Sequence, residues 1–214
     1  MAALVVFVYG AKPRLKSTSR TLRDWVVLGQ WWILDGSATD LFFWNNFMMK
    51  SAIQLKILTA ENFAPFGEVI SCNGNEFFHI NDAHTERYHA LVTTEIVGEA
   101  KAGISIFRNI KTTQIPFEVS MLERHPNGSQ AFIPMQGQKF LVVVAPSLNA
   151  DEPDLSKLQA FITDGSQGVN YRAGTWHHPL LTLESPSDFA VVDRIGGGHN
   201  CDVFQFTETI TITA

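Results

Sequence analysis

The amino-acid sequence predicts an all-β protein whose short strands form a barrel, with few short helices. From Leu55 onward, segments rich in Val, Ile, Phe and Thr follow one another, and these residue types favour pleated strands. Turn signals such as Asn73-Gly74, Asp164-Gly165 and the glycines of 196–198 separate the segments. Many short strands at such spacing indicate a sandwich or a barrel.

Strands are expected where the β-favouring segments lie between these turns. In chain order the expected strands are 67–70, 88–95, 103–108, 117–122, 131–135, 140–145, 160–163, 168–171, 180–184, 189–193 and 203–212. Helix is expected only in single turns near 60–63 and 154–157. The chain has 214 residues, which fits one domain or a domain with an appendage, and a barrel of that size buries a substantial core.

Charge and composition restrict the function classes. The formal net charge of -5 gives no electrostatic reason to bind nucleic acid or an anionic membrane. Seven histidines and 45% hydrophobic residues suit a globular enzyme. Cys72 and Cys201 lie far apart without CxxC or zinc-type spacing, which indicates reduced thiols in a cytoplasmic protein.

Residues 1–48 differ from the rest of the chain and are expected to be a leader. They hold four of the five tryptophans and no histidine. The apolar stretch at 2–11 precedes the basic residues, which is the reverse of a secretory signal. The apolar stretches at 2–11 and 25–34 are both shorter than the about 20 residues of a membrane span, and the acidic residues suit an organelle presequence poorly. The simplest interpretation is a natural start at Met48 or Met49, with 1–48 disordered or a non-native upstream extension and 49–214 forming the domain. We therefore expect residues 1–47 to pack poorly against the barrel.

One stretch between two expected strands gathers polar groups. Residues two apart in a strand share a face, so Glu123 and His125 project together. The Pro-Asn-Gly turn at 126–128 then reverses the chain, and Gln130 begins the partner strand. Three potential ligand or proton-transfer groups therefore lie at one end of a hairpin.

These positions resemble the two-part signature of cupins, in which Gly-x5-His-x-His-x(3,4)-Glu-x6-Gly is followed by Gly-x5-Pro-x-Gly-x2-His. From the first His onward, the positions of the first part fall on Glu123, His125, Gln130 and Gly137. The second part is approximated by Gly168, Gly174 and His177, without the Pro before Gly174. The resemblance implies a cupin-type β-barrel, that is, a double-stranded β-helix or jelly roll. Ordinary cupins bind metal through three His and one Glu. Here Glu replaces the first His and Gln replaces the acidic ligand, which argues against tight metal binding.

A longer set of segments resembles the ureidoglycolate lyase family. In chain order they are Phe77-Phe78-His79-Ile80-Asn81, Glu86-Arg87-Tyr88-His89, Leu122-Glu123-Arg124-His125-Pro126, Gln130-Ala131-Phe132-Ile133-Pro134-Met135, Gly168-Val169-Asn170-Tyr171, Trp176-His177-His178-Pro179 and Asn200-Cys201-Asp202-Val203. The resemblance implies a homodimeric cupin that splits (S)-ureidoglycolate into glyoxylate and urea during allantoin breakdown, a part of purine catabolism. It also suggests nickel as a divalent metal cofactor.

The implied substrate is a carbinolamide, whose cleavage requires specific groups. A base takes the hydroxyl proton as the C=O forms, and an acid protonates the leaving urea nitrogen. His125 and His177 suit this task or metal ligation, because neutral imidazole is both base and ligand. Glu123 is a ligand or base, and Gln130 is a weak ligand or hydrogen-bonding anchor. His178 alternates away from His177 and is expected outside the barrel.

Other polar residues are candidates for substrate binding. Arg87 is the first candidate for a carboxylate clamp, since guanidinium matches a carboxylate bidentately, and Lys139 is the second. His89 is a further candidate, although Arg87 and His89 could equally form surface or dimer contacts. Asp193 is expected to orient a histidine or an arginine.

The sequence is compatible with two other function classes. One is another small-molecule cupin enzyme, such as a metal-dependent dioxygenase or isomerase, although the altered ligand set argues against it. The other is a non-catalytic cupin that serves as a binding or dimerisation module. An apolar pocket without a carboxylate clamp would favour the second class.

Overall fold

The computed structural model describes residues 52–214, and about 49% of this part is strand. The strands are β1 (Ala52–Gln54), β2 (Lys56–Ile57), β3 (Gly67–Ile70), β4 (Phe78–Ile80), β5 (Thr85–Arg87), β6 (Lys101–Asn109), β7 (Phe117–Arg124), β8 (Gln130–Pro134), β9 (Phe140–Ala145), β10 (Gln159–Ile162), β11 (Gly168–Tyr171), β12 (Trp176–His177), β13 (Leu181–Thr182), β14 (Ser187–Ile195) and β15 (Asp202–Thr213). In this part of the chain the helical segments are α1 (Ala60–Phe63) and a 3-10 turn at Leu155–Lys157. The all-β fold class predicted from the sequence is confirmed.

Two sheets form a nearly closed barrel. The eight-stranded sheet has the order β1-β15-β7-β12-β9-β10-β2, with β13 beside β9. The five-stranded sheet has the order β3-β11-β8-β14-β6. Strands β4 and β5 pair only with each other, as a separate hairpin. This layered β architecture agrees with the cupin-type barrel that the signature implied.

The core lies between the two sheets. Phe189 on β14 packs edge-on against Phe140 of β9 and Phe132 of β8, with ring centroids 5.1 and 6.4 Å away. All of β9 is buried, because alternate residues face the two sides of the sheet and both sides are covered. Val144 faces the barrel interior, whereas its neighbour Val143 packs in a second apolar cluster on the other side.

Most of the expected elements are confirmed. The bounds of β3, β9 and β11 are as predicted, and those of β6, β7, β8, β10, β13, β14 and β15 differ by a few residues. The expected helical turn at 60–63 is α1, where the Thr59 side chain accepts a hydrogen bond from the Asn62 backbone N–H. This cap satisfies a backbone donor that the first turn of a helix leaves without an internal partner.

The strand expected at 88–95 is wrong. Ala90 has a φ of 53°, in the left-handed region that breaks an extended strand. Glu95 instead exchanges hydrogen bonds with Ser129, so the segment crosses to the turn between β7 and β8. Strands β1, β2, β4, β5 and β12 were not predicted, because two or three residues are too few for a periodic signal.

Three further expectations concern the leader, membranes and cysteines. The expectation that residues 1–47 pack poorly against the barrel lies outside the described residues. Within 52–214, no helix is long and apolar enough to cross a membrane. Cys72 and Cys201 are free and exposed, as the sequence predicted for reduced thiols.

Candidate active site

Strand register brings together the residues of the cupin-like signature. Glu123 on β7 is paired directly with His177 on β12, and Gln130 on β8 is paired with Tyr171 on β11. Directly paired residues project from the same face of the sheet. His125 follows the last residue of β7. Glu123, His125 and His177, hereafter the triad, offer ligand atoms that all lie within 4.8 Å of one another.

A backbone carbonyl holds each histidine of the triad. Nδ1 of His125 lies 2.7 Å from the carbonyl oxygen of Asn200, and Nδ1 of His177 lies 2.8 Å from that of Thr175. A carbonyl oxygen only accepts hydrogen bonds, so Nδ1 carries the proton in both rings. In the neutral imidazole, Nε2 then keeps its lone pair. Two imidazole lone pairs are therefore available as ligands or bases.

The Nε2 atoms lack the partners that buried polar atoms usually have. Both are buried, and neither has a hydrogen-bond partner among the described residues; the same holds for Oε1 of Gln130. Leaving such a group unpaired costs about 1–3 kcal/mol. Two imidazole nitrogens, a carboxylate and an amide oxygen are a donor set that suits a divalent ion, which would satisfy all three orphaned atoms. The residues therefore fit a metal site.

Burial shifts the pKa of two members of the triad, His177 and Glu123. The side chain of His177 is almost fully buried, and this burial lowers its pKa to about 3. Its Nε2 lies 3.7 Å from Oε1 of Glu123, too far for a hydrogen bond, and the neutral ring forms no ion pair there. Burial raises the pKa of Glu123, while the nearby His125 opposes that shift. The site thus combines a neutral imidazole with a carboxylate of increased basicity.

Tyr171 is a site residue that the sequence did not single out. Its ring is stacked on that of His177, with centroids 4.2 Å apart and planes at 8°. Burial raises the pKa of its phenol, and the charge of Glu123 adds to this shift. The phenol therefore stays protonated at neutral pH beside the triad. Tyr171 ends the family-like segment 168–171, but its place opposite Gln130 depends on strand register, which that segment does not predict.

A cavity of about 400 Å³ opens beside the triad. Its lining residues are His125, Ser129, Gln130, Asp193, Arg194, Gly198, His199, Asn200 and Cys201. The Gln130 amide donates to Oδ2 of Asp193 at 3.3 Å, so Asp193 orients Gln130 rather than the expected histidine or arginine. Sγ of Cys201 lies 4.0 Å from Oε2 of Glu123. The cavity is thus a polar recess of the size that small-molecule sites have.

Comparison with known proteins agrees with this geometry. The family model for ureidoglycolate lyase matches residues 50–213. The chain belongs to the ureidoglycolate lyase family. The ureidoglycolate lyases of Pseudomonas paraeruginosa and Pseudomonas aeruginosa are 52% identical to it over 157 residues, which is 73% of this chain and 91% of each relative. That of Stutzerimonas stutzeri is 51% identical with the same coverage.

In this member of the ureidoglycolate lyase family, two predicted substrate-binding residues lie on the separate hairpin. Arg87 ends β5, and its guanidinium lies 5.8 Å from the centre of the Phe78 ring. His89 contacts the same ring, with centroids 6.1 Å apart. Within residues 52–214, no hydrogen bond, ion pair or ring contact joins Arg87 or His89 to the triad. The structure does not bring them to the cavity of their own subunit.

Lys139, the second candidate for a carboxylate clamp, lies at the other end of the barrel. It is exposed and directly precedes Phe140, the first residue of β9. His177 is paired with Val144, near the last residue of the same strand. At about 3.3 Å per residue, the two ends are roughly 16 Å apart. Lys139 is therefore remote from the triad within one subunit.

Proposed function

We propose that this protein is a lyase that cleaves (S)-ureidoglycolate into glyoxylate and urea in allantoin breakdown, within purine catabolism. The observation that carries the proposal is the triad, whose two orphaned imidazole nitrogens lie beside a carboxylate. Membership of the ureidoglycolate lyase family supports the same substrate, and the matched range 50–213 supports 49–214 as the catalytic domain, with 1–48 outside it. The free thiols support a cytoplasmic location.

The reaction needs two proton movements and consumes no water. The hydroxyl proton of the carbinolamide leaves as the C=O of glyoxylate forms. The C–N bond breaks, its electron pair goes to the urea nitrogen, and that nitrogen takes up a proton. In this proposal Glu123 takes the hydroxyl proton, because it is the anion of the triad and its burial raises its pKa. The same carboxyl group then returns the proton to the urea nitrogen, which restores the starting state.

The proposal includes a divalent metal, and the family resemblance favours nickel. Its ligands would be Nε2 of His125 and His177, the carboxylate of Glu123 and Oε1 of Gln130. When bound, such an ion supplies Lewis acidity that makes the substrate hydroxyl easier to deprotonate. The two backbone carbonyls keep both Nε2 lone pairs available for this task. Gln130 is the weakest of the four donors.

The substrate carries a carboxylate at one end and a ureido group at the other. Gln130 and Asp193, hydrogen bonded to each other in the cavity wall, offer donors and acceptors that suit the ureido group. Arg87 and His89 are proposed for the carboxylate end. Lys139 is left out of this proposal, because β9 separates it from the triad.

A direct assay tests the function. Purified protein, supplied in turn with nickel and other divalent ions, is expected to release glyoxylate and urea in equal amounts from racemic ureidoglycolate. About half of the racemate should be consumed, since a chiral site distinguishes enantiomers. The measurement is glyoxylate by reduction with a coupled dehydrogenase and urea by an independent assay. Ammonia in place of urea, or no turnover with any ion, would contradict the proposal.

We also propose that the protein is a homodimer. Strand β6 is an edge strand, and its outward side chains Ile104 and Ile106 are 82% and 63% exposed. Ile133 of β8 adds to the same face of the five-stranded sheet. A long, apolar, uncovered edge strand invites association with another chain. A second copy on this face would remove these side chains from water.

Changing both isoleucines is expected to dissociate the dimer. In the double variant Ile104→Glu/Ile106→Glu, two charges from each subunit would be buried at the interface, so sedimentation velocity should show monomers at micromolar concentration. The matched control is Ile57→Glu, since Ile57 is a 73% exposed isoleucine on the other sheet. A double variant that stays dimeric would move the interface elsewhere, and a monomeric wild type would remove the dimer from the proposal.

A further inference from the structure

The hairpin of β4 and β5, with its flanking aromatic residues at 77–89, is hereafter the arm. Its two strands have three residues each and pair only with each other. Phe77 contacts His79 and Tyr88, and Phe78 contacts Arg87 and His89. Within residues 52–214, every hydrogen bond and ring contact recorded for the arm is internal to it. The arm is therefore an element apart from the barrel core.

The arm has too little buried surface to be stable alone. Phe77 and Phe78 are 44% and 49% exposed, and all three residues of β5 are exposed. An isolated two-stranded hairpin is marginally stable at best in water and needs a surface to pack against. The aromatic side chains of the arm supply the apolar part of such a contact.

Among the described residues, the cavity has a single cationic side chain, and two backbone carbonyls hold it. Arg194 is the only lysine or arginine among its lining residues within 52–214. The Nε and one terminal nitrogen of Arg194 donate to the carbonyls of Val97 and Gly197. Asp193 lines the same cavity and Glu123 lies beside it, so the local field is unfavourable for an anionic substrate. A guanidinium from elsewhere would correct this imbalance.

Arg87 has the properties of a second cation for this cavity. It is exposed, and no ion pair with a carboxylate is recorded for it in the described part of the chain; the Phe78 ring supports it from one side. Its neighbour Glu86 is engaged with the Tyr88 hydroxyl at 2.9 Å. A guanidinium with open donors matches a carboxylate bidentately.

We propose that the arm of one subunit reaches the cavity mouth of a second copy of this chain and supplies Arg87 to the substrate carboxylate. The inference rests on the proposed function, because it assigns the carboxylate end of that substrate. A second copy is the occupant because the charges are complementary and because the five-stranded sheet has an uncovered apolar face. In the chain the arm follows directly on β3, an edge strand of the same five-stranded sheet.

Single variants give the first measurement. Arg87→Ala is expected to lower kcat/KM for ureidoglycolate by about ten- to hundredfold and to weaken glyoxylate inhibition by a similar factor. Arg87→Lys should recover only part, because an ammonium lacks the planar fork of guanidinium. Wild-type glyoxylate inhibition in Arg87→Ala would overturn the inference.

Hybrid dimers distinguish a shared site from a self-contained one. Arg87→Ala and His125→Ala subunits carry different affinity tags, are co-expressed, and the hybrid is purified through both tags. If the arm acts on its partner, the barrel of the Arg87→Ala subunit keeps His125 and receives an intact Arg87 from the other subunit. The barrel of the His125→Ala subunit lacks His125 and receives an arm without Arg87. The hybrid should then show about half the wild-type activity, since a twofold dimer has two equal sites. The matched control is the His125→Ala/His177→Ala hybrid, in which each barrel lacks one histidine and no activity returns.

Each outcome has a definite reading. Recovery in the first hybrid and none in the control supports the inference. If the wild type is active but the Arg87→Ala/His125→Ala hybrid is no more active than the two single-variant dimers, the inference is overturned and the proposed function stays in place. A wild type that is fully active as a monomer also overturns it. A wild type without lyase activity overturns both.

Discussion

Replacing His177 with alanine is expected to lower kcat/KM for ureidoglycolate by about 10²–10⁴-fold. Its Nε2 is fully buried, has its lone pair free, and lies 3.7 Å from Glu123. No other described side chain occupies that position, so a lost donor cannot be replaced from within the barrel. His125→Ala should have an effect of the same order, because its Nε2 is equally orphaned. Gln130→Ala should be milder, about tenfold, since an amide oxygen is a weak ligand.

Two measurements and one control make this test specific. Glyoxylate release gives the activity, and a nickel titration followed by calorimetry gives the metal affinity, which should fall in both histidine variants. The control is His178→Ala, which removes the imidazole of the next residue in the chain. His178 packs against Phe117 on the other side of the sheet, with ring centroids 5.4 Å apart. Full turnover and unchanged metal content in both histidine variants would refute the assignment, and so would an equal loss in His178→Ala.

The sequence predicts the barrel where a strand carries its own local signal. The bounds of β9 were predicted because its residues are apolar throughout and a proline follows at 146. The segment 88–95 also has a β-favouring composition, yet the left-handed backbone at Ala90 breaks it. Alanine as a residue type does not predict that conformation. Local propensity therefore identifies central strands, while tertiary contacts decide the irregular segments.

The candidate site likewise has some features that the sequence predicts and others that it does not. Strand alternation placed Glu123 and His125 together, because residues two apart share a face of the sheet. The resemblance to the second part of the cupin signature added His177, and the structure brings all three together. The partners that set the tautomers are backbone carbonyls of Asn200 and Thr175, and a carbonyl has no residue-type signal. The stack of Tyr171 and the separation of Arg87 from the cavity depend on long-range register. A single sequence does not contain that register in readable form.

The donor set formed by the triad and Gln130 also determines the affinity for a metal ion. An ordinary cupin site has three imidazoles and a carboxylate, whereas this one has two imidazoles, a carboxylate and an amide. Fewer nitrogen donors reduce the affinity for late transition ions, and the buried, neutral His177 offsets part of that loss because no proton must be displaced at neutral pH. We therefore expect metal binding that is measurable and reversible by a chelator. A metal that survives prolonged chelation would contradict this reading of the donor set.

Replacing Glu123 with glutamine is expected to lower kcat by about 10²–10⁴-fold, because the amide cannot accept the hydroxyl proton of the substrate. The change keeps the size of the side chain and its pairing with His177 on β12, so the barrel should stay folded. Glu123→Asp should recover part of the activity, since it retains a carboxylate at a shorter reach. Thermal unfolding, kcat and KM are measured for all three proteins at fixed nickel concentration.

The neighbouring thiol provides the matched control for Glu123. Cys201 lies 4.0 Å from the Glu123 carboxylate and lines the same cavity, but the proposed mechanism gives it no proton to carry. Cys201→Ala should therefore change kcat by less than about threefold, in the range of substitutions that lose no essential contact. If Glu123→Gln keeps wild-type kcat at saturating substrate, Glu123 is not the base, and the hydroxyl proton must leave through one of the two histidines. If Glu123→Gln loses nickel as well as turnover while Glu123→Asp keeps both, the carboxylate serves the metal and the proton together, as the geometry of the triad favours.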